Sequence, residues 1–333
     1  AHYWLALYAK LIKDGYTVMV LNPIQSHSLR ELYIRKAKTD ARDSLVIADL
    51  VRFGRCQASN VPQDKILALR ELCRSRAYLI DVAADLKRKL IALLDRTFPE
   101  YESLFESLFG KASVAVLRKY PTPQKVKNAH LEKLTELLWN SSGGRFGEWK
   151  ARQLKEAACN SFGIEDTCGV YSSLLCVFLE QILSLTEQAA AIEKQIASLL
   201  KEFDAQLTSI PGVGVVLAAT ILSEIGDISR FSSADKLLAY AGLDPTVRQS
   251  GEFKSSQNRM SKRGSPYLRR AIWMACTSAV QFDPMFRAYY EKKRSEGLHY
   301  MNVIGHVSRK MTAVIFAVLR DSQPYRLVMP KAG

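Results

Sequence analysis

Apolar residues recur at alternating steps of three and four along two long stretches of the chain. Leu175, Phe178, Ile182, Leu185, Ala189, Ile192, Ile196 and Leu199 keep that spacing for four heptads, the pattern of a helix packed lengthwise on a partner helix. Leu72, Leu79, Leu86 and Leu93 stand seven apart with Ala83 and Leu90 on the same face, which predicts a second long helix within residues 64–105. The pattern allows an antiparallel return within one chain and equally allows pairing between chains.

Before these helices the periodicity shortens. A helix is expected from about Tyr3 to Lys13, with Gly15 as its C′ residue, followed by a short buried strand from Thr17 to Leu21 that Asn22-Pro23 closes. A further helix from about Ala41 to Phe53 and a possible strand from Cys56 to Val61 complete a partial α/β piece over residues 1–63. One or two short strands do not make a stable sheet, so its remaining strands are expected outside this chain. Residues 64–204 form a coiled-coil and helical region, and 205–333 a helical C-terminal domain. The chain as a whole is expected to be mainly α.

Charge narrows the partners. The 333 residues carry 47 Lys+Arg against 33 Asp+Glu, a net +14, and between Asp244 and Arg320 the balance is 14 to 5. A polyanion is the leading partner class. A membrane is not expected: the longest apolar runs, 271–280 and 311–319, are half of the ~20 residues that a span needs. The six cysteines show no C-x-x-C pairing and no histidines at ligand spacing, which argues against zinc and for reduced thiols in a cytoplasmic setting.

The candidate chemistry is concentrated between Ile210 and Arg270. Ile210-Pro211-Gly212-Val213-Gly214 places two glycines before an apolar helix, as in a helix-hairpin-helix turn whose N–H groups meet a phosphate. An ordinary turn between helices explains Gly212 and Gly214 equally well. Arg248, Lys254, Lys262 and Arg263 surround a Ser250-Gly251 pair, and such cations would neutralise a phosphodiester under attack by a serine hydroxyl. A solvated Ser-Gly turn is the plain alternative, and Ser142-Gly143 repeats the dipeptide. Arg269 and Arg270 follow on the next helix. Near the N-terminus, Asp40 and Asp43 are three apart at a helix start, able to share a divalent cation or simply to cap the helix.

The order PGVG, RFSSADKLLAYAGL, P-x-x-R-Q-Ser-Gly, SKRG and YLRRA resembles the C-terminal domain of the DEDD transposases of bacterial insertion sequences. This is the family named for insertion sequence one-ten, which includes the Piv-type DNA invertases. The resemblance implies Ser250 as nucleophile through a covalent phosphoserine intermediate. It also implies a RuvC-like, RNase-H-fold metal domain in which Asp40 and Asp43 match the T-D-x-x-D element and hold Mg2+ or another divalent cation. DNA, a bridge-type guide RNA and a homo-oligomer, dimer or tetramer, are the implied partners, and the bacterial cytoplasm the implied setting. The family's first Asp and its Glu have no counterpart here. A catalytically incomplete nucleic-acid-binding remnant and a site-specific invertase therefore stand as alternatives to an active transposase.

Overall fold

The computed structural model describes residues 4–31, 39–54, 56, 61, 64–203, 206–245, 249–250, 253–254 and 260–327, with backbone alone at Ile24, Gln249, Ser250, Phe253 and Lys254. The chain forms two compact units, Ala1–Asp64 and Lys65–Gly333.

The first unit contains helices α1 (Trp4–Lys13), α2 (Pro23–Arg30) and α3 (Asp40–Arg52). Gly15 ends α1 at φ 84°, where its N–H and that of Tyr16 reach back to the Ile12 and Leu11 carbonyls. The expected strand at 17–21 does not form. Residues 17–20 are irregular and Leu21 makes a single bridge, so among the described residues this unit has no sheet and the expected RNase-H-like α/β piece is not supported. An extended segment with no neighbour leaves its row of N–H and C=O groups unpaired, and apolar character alone cannot convert it into sheet. Asn22-Pro23 is also corrected, because Pro23 opens α2 rather than closing a strand. Proline suits a first helical turn, where its missing N–H would have had no partner. Of the second expected strand, Cys56 and Val61 are irregular and residues 57–60 lie outside the described residues.

The second unit opens with α4 (Asp64–Thr97). A 3-10 turn (Pro99–Leu104) leads to α5 (Lys111–Lys119), α6 (Pro123–Lys127), α7 (Leu131–Ser142) and α8 (Glu148–Cys159), and then to α9 (Val170–Leu200). Helices α4 and α9 pair antiparallel within the chain. The ion pairs Lys65–Glu202 and Arg76–Glu193 and the Arg96 guanidinium over the Tyr171 ring step in opposite directions along the two helices. The fully buried heptad row is Leu175, Ile182, Ala189 and Ile196, while Phe178, Leu185, Ile192 and Leu199 are half-buried. By length and composition α9 could cross a membrane, but it carries Glu180 and Glu193, each in an ion pair. Thr122 caps the short α6, and α8 begins after the Gly143-Gly144 pair.

Two cores share α4 and α9 between them. One joins Leu90 and Leu94 to Leu175, Leu179 and helices α5–α8 around the buried Tyr101 and Leu138. The other joins Ile66, Leu69, Cys73, Ile196 and Leu200 to the C-terminal helices. Those helices are α10 (Val215–Ile225), α11 (Ala234–Ala241), α12 (Pro266–Phe282), α13 (Pro284–Ser295) and α14 (Tyr300–Asp321). Between α11 and α12 lies a two-residue ladder, β1 (Gln249–Ser250) with β2 (Phe253–Lys254). Ser233 caps α11, and Gly242 ends it at φ 67°, the residue types that helix ends favour. The C-terminal segment is pinned by Tyr325, whose N–H donates to Ser209 Oγ at 2.8 Å and whose hydroxyl donates to the buried Asp283 at 2.9 Å.

Candidate catalytic and nucleic-acid-binding site

Ser250 sits on an arm with a closed neck. The chain leaves α11 and returns to α12 through residues 244–261, and the two limbs are joined by backbone bonds from Ser261 to the Asp244 carbonyl (2.9 Å) and from Lys262 to the Gly242 carbonyl (3.0 Å). Pro245 and Met260 form a bridge above them, and the Ser261 hydroxyl donates to the Asp244 carboxylate. Beyond the neck, Gln249 pairs with Lys254 and Ser250 with Phe253. Among the described residues Ser250 is thus the last paired one of its strand. The Ser250 and Lys254 side chains and the whole of Arg248 lie outside the described residues.

The neck is held by two glycines in backbone-to-backbone contact. A Cβ on Gly264 would lie 1.7 Å from the Tyr240 carbonyl oxygen, and one on Gly242 2.8 Å from the Gly264 nitrogen. No other residue type fits either position without moving main chain. Lys262, between them, is non-glycine at φ 53°, a left-handed conformation that costs an L-residue about 1–2 kcal/mol. Lys262 and Arg263 are exposed, and among the described residues neither has an ion-pair partner.

The remaining sequence candidates separate by environment. Arg269 is half-buried and donates to the Ala241 carbonyl at 3.2 Å, so it fastens the neck. Arg270 is paired with Asp81 of α4 at 2.8 Å, which leaves its charge partly offset. Gly212, at φ 87°, faces the α12 backbone, with its Cβ position 2.6 Å from the Ala279 nitrogen; its glycine is needed for packing. Gly214 is exposed with open space at its Cβ position and precedes the first turn of α10, where free N–H groups point outward.

Beneath the neck a polar network with no local sequence signature gathers around one buried carboxylate. Glu224, 2% exposed, takes a two-pronged bond from Arg74 (Nε 2.7 Å, Nη2 2.9 Å) and a third from Ser265 Oγ at 2.8 Å. Arg70 forks onto the Ser223 carbonyl at 2.8 and 2.6 Å, capping the end of α10. Hydrogen bonding to Glu224 holds the Arg74 pKa above its ordinary value, whereas burial lowers that of Arg70. The contributors lie about 150 residues apart in the chain, so no spacing rule could have brought them together.

In the other unit, Thr39 rather than Asp40 is the N-cap of α3, accepting from the Arg42 N–H at 3.4 Å. Asp40 is exposed in the first turn; Asp43 lies one turn on, 2.7 Å from an Arg30 guanidinium nitrogen. That approach is a Coulombic contact, not an aligned hydrogen bond, because Asp43 Oδ1 and Arg30 Nε are both buried without a hydrogen-bond partner. No cluster of three metal-ligating side chains occurs among the described residues. Two carboxylates on one side of a helix start are oxygen donors of the kind a hydrated Mg2+ ion takes, with Asp40 exposed and Asp43 Oδ1 facing the Arg30 guanidinium.

Comparison with known proteins agrees with the motif order. Residues 204–291 match the model described as the transposase IS116/IS110/IS902 family, and residues 1–99 match the DEDD-type IS110 transposase model. The chain is 29% identical to the 44.8 kDa protein of insertion element IS116 from Streptomyces clavuligerus, over 97% of this chain and 82% of that one. It is similarly 29% identical to the 43.6 kDa protein of IS110 from Streptomyces coelicolor, over 95% and 79% of the two chains. The pilin gene-inverting protein of Moraxella bovis is 33% identical over 36% of this chain and 37% of its own.

Proposed function

This chain belongs to the IS110/IS116/IS902 family of insertion-sequence transposases, and from that premise we propose that it cuts and rejoins DNA through Ser250. The reading rests on one observation: the serine ends the paired part of an arm whose neck carries Lys262 and Arg263, exposed and without acidic partners among the described residues. The Ser250 hydroxyl attacks a backbone phosphorus; a P–O bond to serine forms, the bond to one ester oxygen breaks, and that oxygen leaves with a proton. A hydroxyl end of the recipient strand then reverses the step and releases the serine. Lys262 and Arg263, joined by Arg248 and Lys254, offset the charge that grows on the phosphoryl oxygens. Gly214 and the first turn of α10 offer a separate phosphate contact.

Asp40 and Asp43 are the residues that would hold a divalent cation. Such an ion supplies Lewis-acid polarisation of a phosphate and a hydroxide-like nucleophile. The Arg30 contact holds the Asp43 side chain in place from the adjacent helix. A bridge-type RNA that pairs with both DNA partners, and a dimer or tetramer of this chain, complete the assembly; exposed Val170, Leu174 and Val177 on α9 are consistent with helix contacts between copies. A second reading is site-specific inversion, which the similarity to the Moraxella protein favours.

The test is Ser250→Ala in the full chain, with DNA carrying the ends of its element. Binding is expected to persist while the covalent protein–DNA adduct disappears. An adduct that survives the substitution, or that maps by mass spectrometry to another side chain, would overturn the serine assignment.

A further inference from the structure

The Arg74–Glu224–Ser265 network lies where it can act on the chemistry, and it deepens the serine reading on which it rests. Glu224 touches both feet of the arm. Its side chain receives the Ser265 hydroxyl at 2.8 Å, directly after Gly264 on the returning limb. Its backbone carbonyl accepts from the Tyr240 hydroxyl at 3.3 Å, on the departing limb. Tyr240 is also the residue whose carbonyl fills the Cβ position of Gly264. The carboxylate itself cannot turn, because Arg74 grips both oxygens and lies over the Tyr267 ring at 5.0 Å.

Ser265 does two jobs with one hydroxyl. It donates to Glu224 and accepts from the Leu268 N–H at 3.2 Å, capping α12. The helix that receives the arm is therefore aligned to the carboxylate, and through Arg74 to the long helix α4. Burying a carboxylate against a half-exposed arginine is not in itself a large gain in stability. Its physical distinction here is direction: a two-pronged guanidinium–carboxylate contact fixes an orientation that apolar packing leaves free.

We infer that Arg74, Glu224 and Ser265 are positioning residues for the transposition chemistry, setting the direction of the Ser250 arm relative to α4. They touch neither DNA nor the reacting atoms in this scheme. Misplacement of a reacting group by about an ångström can slow a reaction by roughly 100-fold, so a small tilt at the neck suffices for a large kinetic effect.

The experiment compares Ser265→Ala with Ser265→Thr in the full chain, following DNA affinity, the rate of adduct formation at Ser250, and amide exchange at Ser261 and Lys262. Ser265→Ala should bind DNA within about twofold of wild type yet form adduct roughly 10- to 100-fold more slowly. The Ser261 and Lys262 amides, which close the neck, should exchange at least about tenfold faster, as loosened local structure does. Ser265→Thr restores the hydroxyl and should return all three readouts to near wild type. Equal losses of affinity and rate, no restoration by threonine, or unchanged rate and exchange would each overturn the inference. If wild type forms no adduct at Ser250, the serine reading falls, and exchange at Ser261 and Lys262 with its rescue by threonine still decides whether the network sets the neck.

Discussion

Replacing Gly264 by alanine should open the neck of the arm, and the structure sets the size of the effect. The new Cβ would stand 1.7 Å from the Tyr240 carbonyl oxygen and 2.6 Å from its carbon, whereas close carbon–oxygen contacts begin near 3.3 Å. A separation of about 1.6 Å must open there, and the obstacle is main chain rather than a side chain that can rotate away. Two hydrogen bonds span the same gap, Lys262 to Gly242 at 3.0 Å and Ser261 to Asp244 at 2.9 Å. At roughly 1 kcal/mol each, together with an overpacking term of about 1–3 kcal/mol, the loss is on the order of 3–5 kcal/mol. Urea unfolding followed by circular dichroism and by tryptophan fluorescence measures it, as a lower midpoint at unchanged slope. Gly305→Ala serves as the control: Gly305 lies inside α14 with open space at its Cβ position, so alanine there should stabilise by about 0.5–1 kcal/mol. A Gly264→Ala protein within about 1 kcal/mol of wild type would refute the interlocked neck.

Two further outcomes test the cores. Ile196→Asp places a carboxylate at a position 0% exposed and should destabilise by at least about 3 kcal/mol, while Ile192→Asp, half-buried on the same helix, should cost visibly less; equal losses in thermal melts would contradict the burial order along α9. Lys150 is 6% exposed, with its ammonium 5.0–5.5 Å from the Phe105, Phe146 and Trp149 rings, and burial lowers its pKa. The unfolded chain then holds that proton more tightly, so wild-type stability should rise as pH climbs through the lowered folded value towards the ordinary lysine value of 10.5. Lys150→Met should lack that alkaline gain, and an identical pH profile for the two proteins in denaturant titrations would show that the site does not titrate as described.

Local chemistry made much of the fold legible. The heptads of α9 and the glycine end of α1 depend on residues within one or two turns of each other, and they stand where the sequence puts them. The order of motifs from PGVG to YLRRA carried the family, because each motif is contiguous. Where the sequence failed, the deciding partner was distant. An apolar run at residues 17–21 reads as strand, but a strand exists only with a neighbour, and among the described residues it has none beyond the single bridge at Leu21. Gly212 and Gly214 read equally as a phosphate turn or as an ordinary turn between helices, and only the fold shows the main chain of α12 in the space that the missing Cβ of Gly212 leaves. Whether the heptads closed within the chain was settled by α4 returning charge for charge against α9. The Arg74–Glu224–Ser265 network has no periodicity to announce it: a buried carboxylate must find its cation wherever the fold brings one, and only the tertiary structure brought Arg74 across 150 residues of chain to meet it.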